Sequence, residues 1–470
     1  MMRRWIVRAV LVVAAVAATL VYRPDKAIRV GTGLTAKMIC SQTFVSGFDP
    51  KEVFEQSIAA NPGTDILAPL LRYTVDREKR QVDASLAGLF YARAVERKGL
   101  GCALKYDDDA WDESLPPETP PEPAALPDIA ADALVEAQDP TLRAALDAFF
   151  VEPAEAPHRW VKAAVIVKDG RVIAERYAPG IGKDAPIFSY SMSKSITSSL
   201  LAILVREGKF KTSDLAPVAE WSDPKDPRHA ITIDNLLRMT SGLAIAQTGS
   251  GFDPASRMLY TERDMAGFAQ KAALANAPGT AMDYSDASTL LLSRIIRDAT
   301  GGNSAGLLAF ARRELFEPLG MKSVVLETDA TGTYVGATNT LATARDWARL
   351  GVLYDNDGVA GGRRILPQGW VKYVSASTLG TSYGAGFWTN AGKDDFANGR
   401  IANGMPCDAF FASGNLGQRV YIIPSSHIVI VRLAVTQKHP DFDIAGDYRL
   451  INAVLKSTGS TAPASCSINP

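Results

Sequence analysis

Two strand–turn–strand patterns, lying far apart in the chain, most constrain how this sequence can fold. The first is Val161-Lys162-Ala163-Ala164-Val165-Ile166-Val167, then Asp169-Gly170, then Arg171-Val172-Ile173-Ala174-Glu175. Asp-Gly suits a type I′ turn, which needs positive φ at both central positions. The second runs through Gln418-Arg419-Val420-Tyr421-Ile422-Ile423, the loop Pro424-Ser425-Ser426-His427, and Ile428-Val429-Ile430-Val431-Arg432-Leu433. Mostly helical patterns lie between them. Strands at both ends with helices between predict an α+β fold, in which one antiparallel sheet is assembled from distant segments.

Length and charge narrow the rest. A chain of 470 residues is long enough for one large catalytic domain with attachments. Its 47% hydrophobic and 21% charged content is ordinary for a globular protein. A formal net charge of -1 gives no electrostatic reason to expect nucleic acid as a partner. Composition divides the chain into residues 1–24, a signal anchor or signal peptide; 25–105, a small N-terminal module; 106–128, an acidic, proline-rich linker or strap; and 129–470, the main domain.

Arg3, Arg4 and Arg8 precede an apolar run over residues 9–22, closed by Arg23-Pro24. This has the outline of an export signal, and the absence of a clear Ala-x-Ala site favours an uncleaved membrane anchor over a cleaved peptide. The positive-inside tendency then places the remainder outside the cytoplasm, in a compartment such as a bacterial periplasm. Four separated cysteines (Cys40, Cys102, Cys407, Cys466) contain no Cys-x-x-Cys pair, which makes a zinc site improbable. In an exported protein they allow two disulfides with three connectivities, of which Cys40–Cys102 with Cys407–Cys466 is the expected one; four separate buried thiols are the alternative.

The strongest chemical signal is Ser189-Tyr190-Ser191-Met192-Ser193-Lys194, leading into an apolar helical run that stops near Gly208. On a helix, Lys194 lies one turn after Ser191 and within reach of its oxygen. Burial lowers a lysine pKa, so Lys194 is expected to be able to accept a proton near neutral pH, while backbone N–H groups at the helix start favour an oxyanion. Ser-x-x-Lys alone is weak evidence: Ser222-Asp223-Pro224-Lys225 matches it too, in a stretch whose prolines predict a turn.

Pro278-Gly279-Thr280-Ala281-Met282-Asp283-Tyr284-Ser285-Asp286, and Ile231-Thr232-Ile233-Asp234-Asn235-Leu236-Leu237-Arg238-Met239-Thr240-Ser241-Gly242-Leu243, add specificity. With Ser191 and Lys194 these stretches resemble the serine β-lactamase and DD-peptidase superfamily over roughly residues 145 to 455, closest to its esterase and 6-aminohexanoate-dimer hydrolase branch. The resemblance implies a β-lactamase/transpeptidase-like fold, a nucleophile at Ser191, Lys194 as its partner, and Tyr284 in the Tyr-x-Asn position as base and then acid. No cofactor is implied. Asp286 stands where that pattern has Asn, and a carboxylate there favours a protonated Lys194. The family's Lys-Thr-Gly or His-x-Gly strand segment aligns with Asn415-Leu416-Gly417, so Asn415 and Gly417 join Asp286 as expected substrate-binding residues. The same alignment puts the oxyanion hole at the backbone N–H groups of Ser191 and Gln418. Because Asn415 carries no charge, selection for a carboxylate-bearing substrate is expected to be weak. The expected activity is hydrolysis of a small ester, amide or peptide-like substrate through an acyl-enzyme. DD-peptidase or β-lactamase action, and an inactive binding or sensor module, are the alternatives.

Competing signals are poorer. Gly-x-Ser-x-Gly occurs around Ser304 and around Ser382, but neither has the strand-before, helix-after context of a nucleophile elbow. His158, His229, His427 and His439 include none in a triad setting; His427 is expected in a solvated hairpin turn and His439-Pro440 in an exposed loop. Tyr383, Phe387, Trp388, Phe410 and Phe411 could pack in the core or line an acyl pocket.

Overall fold

In the computed structural model, which describes residues 24–106, 111–112, 114–117, 122–437 and 443–460, the chain starts with helix α1 (Pro24–Cys40). The expected anchor over residues 1–24 therefore lies almost wholly outside the described residues. No helix among the described residues is long and apolar enough to cross a membrane.

After α1 come short helical turns and a four-stranded antiparallel sheet of β1 (Leu71–Asp76), β2 (Gln81–Leu86), β3 (Leu89–Arg97) and β4 (Gly101–Lys105). Ala87 and Gly88, with φ of 49° and 78°, make the tight β2–β3 turn, the geometry whose positive φ values match strand twist. Cys40 at the end of α1 is bonded to Cys102 in β4, as expected, across 62 residues of sequence. Cys407 is also disulfide-bonded; Cys466, its expected partner, lies outside the described residues.

The strap residues lie on the larger domain. Ala125 and Leu126 donate to the Pro318 carbonyl at 2.8 and 2.9 Å, and Leu126 is buried. Next are helix α2 (Pro140–Phe149), capped by Asp139 with a proline at its first position, and the predicted hairpin of β5 (Val161–Lys168) and β6 (Arg171–Tyr177). Asp169 and Gly170 have φ of 50° and 74°, as the turn requires.

The remaining elements that position the site are β7 (Ile187–Phe188), α3 (Ser193–Arg206), α4 (Asp286–Ala299), β8 (Val325–Leu326), β9 (Thr340–Ala342), α5 (Ala344–Asp355), β10 (Val359–Ala360), β11 (Arg363–Arg364), β12 (Trp388–Thr389), β13 (Phe410–Gly414), β14 (Gln418–Ile423), β15 (Ile428–Ala434) and α6 (Ile444–Ser457). The main sheet has the order β12-β13-β14-β15-β5-β6, antiparallel throughout. The two distant hairpins join where β15 pairs with β5, Val431 opposite Val165. This is the α+β sheet that the sequence predicts.

Alternation along the strands divides the core. Ala163, Val165 and Val167 face the larger core with α3, α4 and α5; Ala164 and Ile166 face α2 and α6. A continuous apolar run is thus buried on both faces, and on the outer side Asp447 of α6 takes Arg432 at 2.9 Å and the Tyr421 hydroxyl at 2.6 Å.

The N-terminal module is joined to this domain by a buried polar cluster. The Lys37 ammonium is paired with Glu327, immediately after β8, and donates to Ser41 Oγ at 2.8 Å. Glu327 also accepts from Ser41 Oγ and from the Cys102 N–H, at 2.9 and 2.8 Å. Burial lowers the Lys37 pKa against the pull of Glu327. Removing one member of a buried pair leaves an uncompensated charge, so Lys37→Ala should destabilise the chain by about 3 kcal/mol or more. Lys51→Ala, which removes only an exposed pair with Glu55, should cost less than about 1 kcal/mol. Urea unfolding of both variants checks the difference.

Candidate active site

The segment preceding α3 carries the serine. Tyr190 has φ of 48°, an uncommon conformation for an aromatic residue, and a short 3₁₀ turn, Tyr190–Met192, leads into the helix. Ser191 therefore stands at the mouth of the helix, partly exposed, with Lys194 buried one turn behind it. The helix ends as the sequence indicated: Gly208 takes φ of 74°, with Lys209 N–H on the Leu204 carbonyl at 3.0 Å and Gly208 N–H on Val205 at 3.0 Å, the paired bonds of a Schellman stop.

Lys194 Nζ donates to three oxygens: Ser191 Oγ at 3.2 Å, Asp286 Oδ1 at 2.5 Å and the Ala337 carbonyl at 3.0 Å. The Tyr284 ring centroid is 4.8 Å away. Asp286 is the first residue of α4, and Ser285 caps that helix. Its N–H donates to Gln247 Oε1 at 2.7 Å. The loop carrying Tyr284 is held from the Ile231–Leu243 stretch, where Asp283 N–H meets the Met239 carbonyl and Gly279 N–H the Thr240 carbonyl, each at 2.8 Å. The three sequence motifs converge for this reason. Ser191 and Tyr284 keep exposed surface, whereas Lys194 and Asp286 behind them are buried.

The charge state differs from the expectation for a lone buried lysine. Burial would lower the Lys194 pKa, but the Asp286 carboxylate and Tyr284 outweigh it and hold the ammonium above its ordinary value. The charged form of Lys194 is therefore favoured, as the carboxylate at Asp286 led one to expect, over the neutral amine expected from burial alone.

Hydroxyls along α3 grip the loops that wall the site. Ser193 Oγ accepts from Thr340 N–H at 3.0 Å, Thr197 Oγ1 donates to the Gly336 carbonyl at 3.1 Å, and Ser195 and Ser198 donate to the Gly386 and Ala385 carbonyls at 2.7 and 3.0 Å. Ala337 and Gln247 had no sequence signal: one acts through a backbone carbonyl, the other from an irregular loop.

The strand segment lies differently from the alignment. Asn415–Gly417 forms the turn between β13 and β14, not a strand. Asn415 is exposed, and Gly417 packs against Arg432 and Thr436. Gln418 is the ladder partner of Gly414, its side-chain amide bonded to the Ala434 backbone. Gly414 meets the serine loop: a Cβ there would lie 2.2 Å from the Ser189 carbonyl oxygen. Arg419 donates to the Gly414 and Gln418 carbonyls at 2.7 and 2.8 Å from the opposite face of the sheet.

The aromatic cluster divides by strand alternation and by loop. Tyr383 and Trp388 stack around Tyr284, with centroids 5.5 Å from it and 5.2 Å from each other. Phe387 and Phe410 pack with Tyr354 in the core, and Phe411 with Tyr421 on the outer face. The competing serines are structural: Ser304 is bonded to Ser114 and Asp112, and Ser382 to Asp394. Ser222-Asp223-Pro224-Lys225 is a turn, as expected. His427 sits in the β14–β15 turn with φ of 48°; His439 lies outside the described residues.

The β-lactamase family pattern matches residues 146–456, and the chain belongs to that family. It is 25% identical over 334 residues to the 6-aminohexanoate-dimer hydrolase of Paenarthrobacter ureafaciens, covering 68% of this chain and 80% of that one. In fold it resembles a Bacillus anthracis protein provisionally described as a 6-aminohexanoate-dimer hydrolase, with a TM-score of 0.56 at 21% identity over 75% of this chain and 91% of the other. A penicillin-binding protein homologue from Caulobacter crescentus gives 0.53 at 19% identity, over 69% and 99%. The chain is a serine hydrolase with the β-lactamase/transpeptidase fold.

Two outcomes follow from the geometry. Asp286→Asn removes the carboxylate that raises the Lys194 pKa, so the basic limb of the kcat/KM profile, where the ammonium is lost, should move to lower pH; a limb that stays in place would remove Asp286 from the proton balance. Gly414→Ala should displace the serine loop and lower kcat at least about tenfold, since misplacing a reacting group by ~1 Å costs as much as a hundredfold. Single-turnover acylation measures that loss.

Proposed function

We propose that Ser191 attacks ester or amide carbonyls and forms an acyl-enzyme that water hydrolyses. The carrying observation is the Lys194 ammonium, set between Ser191 Oγ and Asp286 beneath the Tyr284 ring. A lysine held charged is a poor base, so the base is assigned to Tyr284, whose ring the Lys194 ammonium faces at 4.8 Å. Ser191 Oγ bonds to the carbonyl carbon as its proton passes to the Tyr284 oxygen. The same proton then goes to the departing amine or alkoxide as the acyl–leaving-group bond breaks. In the second half, water attacks the acyl carbon, gives its proton to Tyr284, and Ser191 leaves with that proton.

The Ser191 N–H supplies one oxyanion donor. For the second, the contact between Gly414 and the serine loop favours the N–H that follows it, at Asn415, over that of Gln418; each donor is worth on the order of 10²- to 10³-fold in rate. Trp388, partly exposed beside Tyr284, gives the acyl side an apolar wall, with Tyr383 buried behind it. Asn415 offers neutral donors to the substrate, and Arg419 spends its charge on carbonyl oxygens beneath the turn, which supports neutral esters and amides over carboxylate-bearing β-lactams and D-alanyl peptides. Residues 1–24, read as a signal anchor, tether the chain to a membrane and place this chemistry outside the cytoplasm.

A fluorophosphonate should label Ser191 on the folded protein, and Ser191→Ala should lose labelling and at least about a thousandfold of p-nitrophenyl ester turnover. Short linear amides should be cleaved, and nitrocefin turned over poorly. A folded protein without a Ser191 adduct would be a binding module instead.

A further inference from the structure

Large apolar side chains are exposed around the first turns of α1. Ile66, Leu70, Leu89, Tyr91 and Phe252 are 80, 51, 63, 70 and 56% accessible. They come from three separate segments that meet at one place. The Leu70 carbonyl accepts the Ala87 N–H at 2.9 Å, and Leu86 pairs with both Leu71 and Leu89, bringing the turn before β1 beside the β2–β3 hairpin. Leu67 packs 3.0 Å from where a Cβ on Gly31 would stand, and the Arg29 guanidinium lies 5.6 Å over the Phe90 ring. The loop bearing Phe252 closes the ring from the larger domain, since a Cβ on Gly251 would lie 3.9 Å from the Ala27 carbonyl oxygen and from Val30, and one on Gly63 3.5 Å from the Gly249 carbonyl oxygen.

An apolar rim of this kind on a charged, globular surface marks an interaction site. Its position identifies the occupant. α1 begins at Pro24, directly after the apolar run of residues 9–22 and its Arg3, Arg4 and Arg8. The surface surrounding the point where such a run joins the folded chain is the surface that a bilayer would meet. Arg72, exposed beside this rim and held by the Pro69 and Leu71 carbonyls at 2.8 Å each, adds a fixed cation for anionic headgroups. Tyr91 and Phe252 are side chains suited to the headgroup boundary.

We propose that the rim of Ile66, Leu70, Leu89, Tyr91 and Phe252 is a membrane-contact face that seats the enzyme on the lipid surface to which residues 1–24 tether it. The inference rests on the tether reading and adds a fixed orientation to it. The Phe252 loop also carries Gln247, which holds the Asp286 N–H, so the lipid-facing loop reaches the catalytic residues.

The test uses the full chain reconstituted in vesicles of phosphatidylethanolamine and phosphatidylglycerol that carry nitroxide-labelled acyl chains. A fluorophore is attached in turn at Leu89→Cys, Phe252→Cys and the control Phe396→Cys, an exposed position on a helix packed against the sheet's outer face. Labels at 89 and 252 should be quenched about threefold more than at 396, since interfacial side chains enter ~5–10 Å into the headgroup boundary. A vesicle-bound chain with equal quenching at all three would overturn the face while keeping the tether. A chain that stays off the vesicles would overturn both. Cross-linking of two copies through positions 89 and 252 without lipid quenching would assign the face to self-association and overturn the proposal.

Discussion

The Lys194 ammonium is the interaction on which the site depends. A buried cation is costly unless its hydrogens are satisfied, and its three acceptors come from separate parts of the chain: the serine turn, the start of α4 and the loop before β9. Satisfying one charge therefore fixes the relative positions of three elements. Asp286 also sets the charge of the lysine. An amide at that position could share a hydrogen bond with lysine; a carboxylate holds the ammonium in its charged form.

Around that charge, α3 acts as a rigid spine. Its serines and threonine are small enough for loops to approach and polar enough to hold them. A Cβ on Gly336 would fall 2.2 Å from Thr197 Oγ1, and one on Gly386 2.7 Å from Ser198 Cβ. Small residues on the helix and glycines on the loops are two halves of one packing solution, and they keep Ser191 and its partners on ordered supports.

Much of this was legible in the sequence because it is written in local patterns. Asp169-Gly170 determines a turn by backbone sterics, and the one-turn spacing of Ser191 and Lys194 follows from helix geometry. Other parts depend on contacts that residue type does not encode. The Ala337 carbonyl could belong to any residue. Asn415-Leu416-Gly417 matched a motif by spacing, yet positive φ at Leu416 and Gly417 makes it a turn and moves the contact with the serine loop to Gly414. The aromatic residues between 383 and 411 read as one cluster, but the neighbours Phe410 and Phe411 point to opposite faces of β13. The Lys194 charge needed the distance to Asp286 as well as the identity of both groups.

Phe188 packs with Met38, Ile58 and Leu71 of the N-terminal module, and the Tyr190 ring lies 4.9 Å from Phe188. The rear of the turn that presents Ser191 is therefore built from a part of the chain that precedes the family-matched region. For anyone trimming this protein for production, the smallest unit with a properly seated serine begins near α1, well before the boundary that homology alone would recommend.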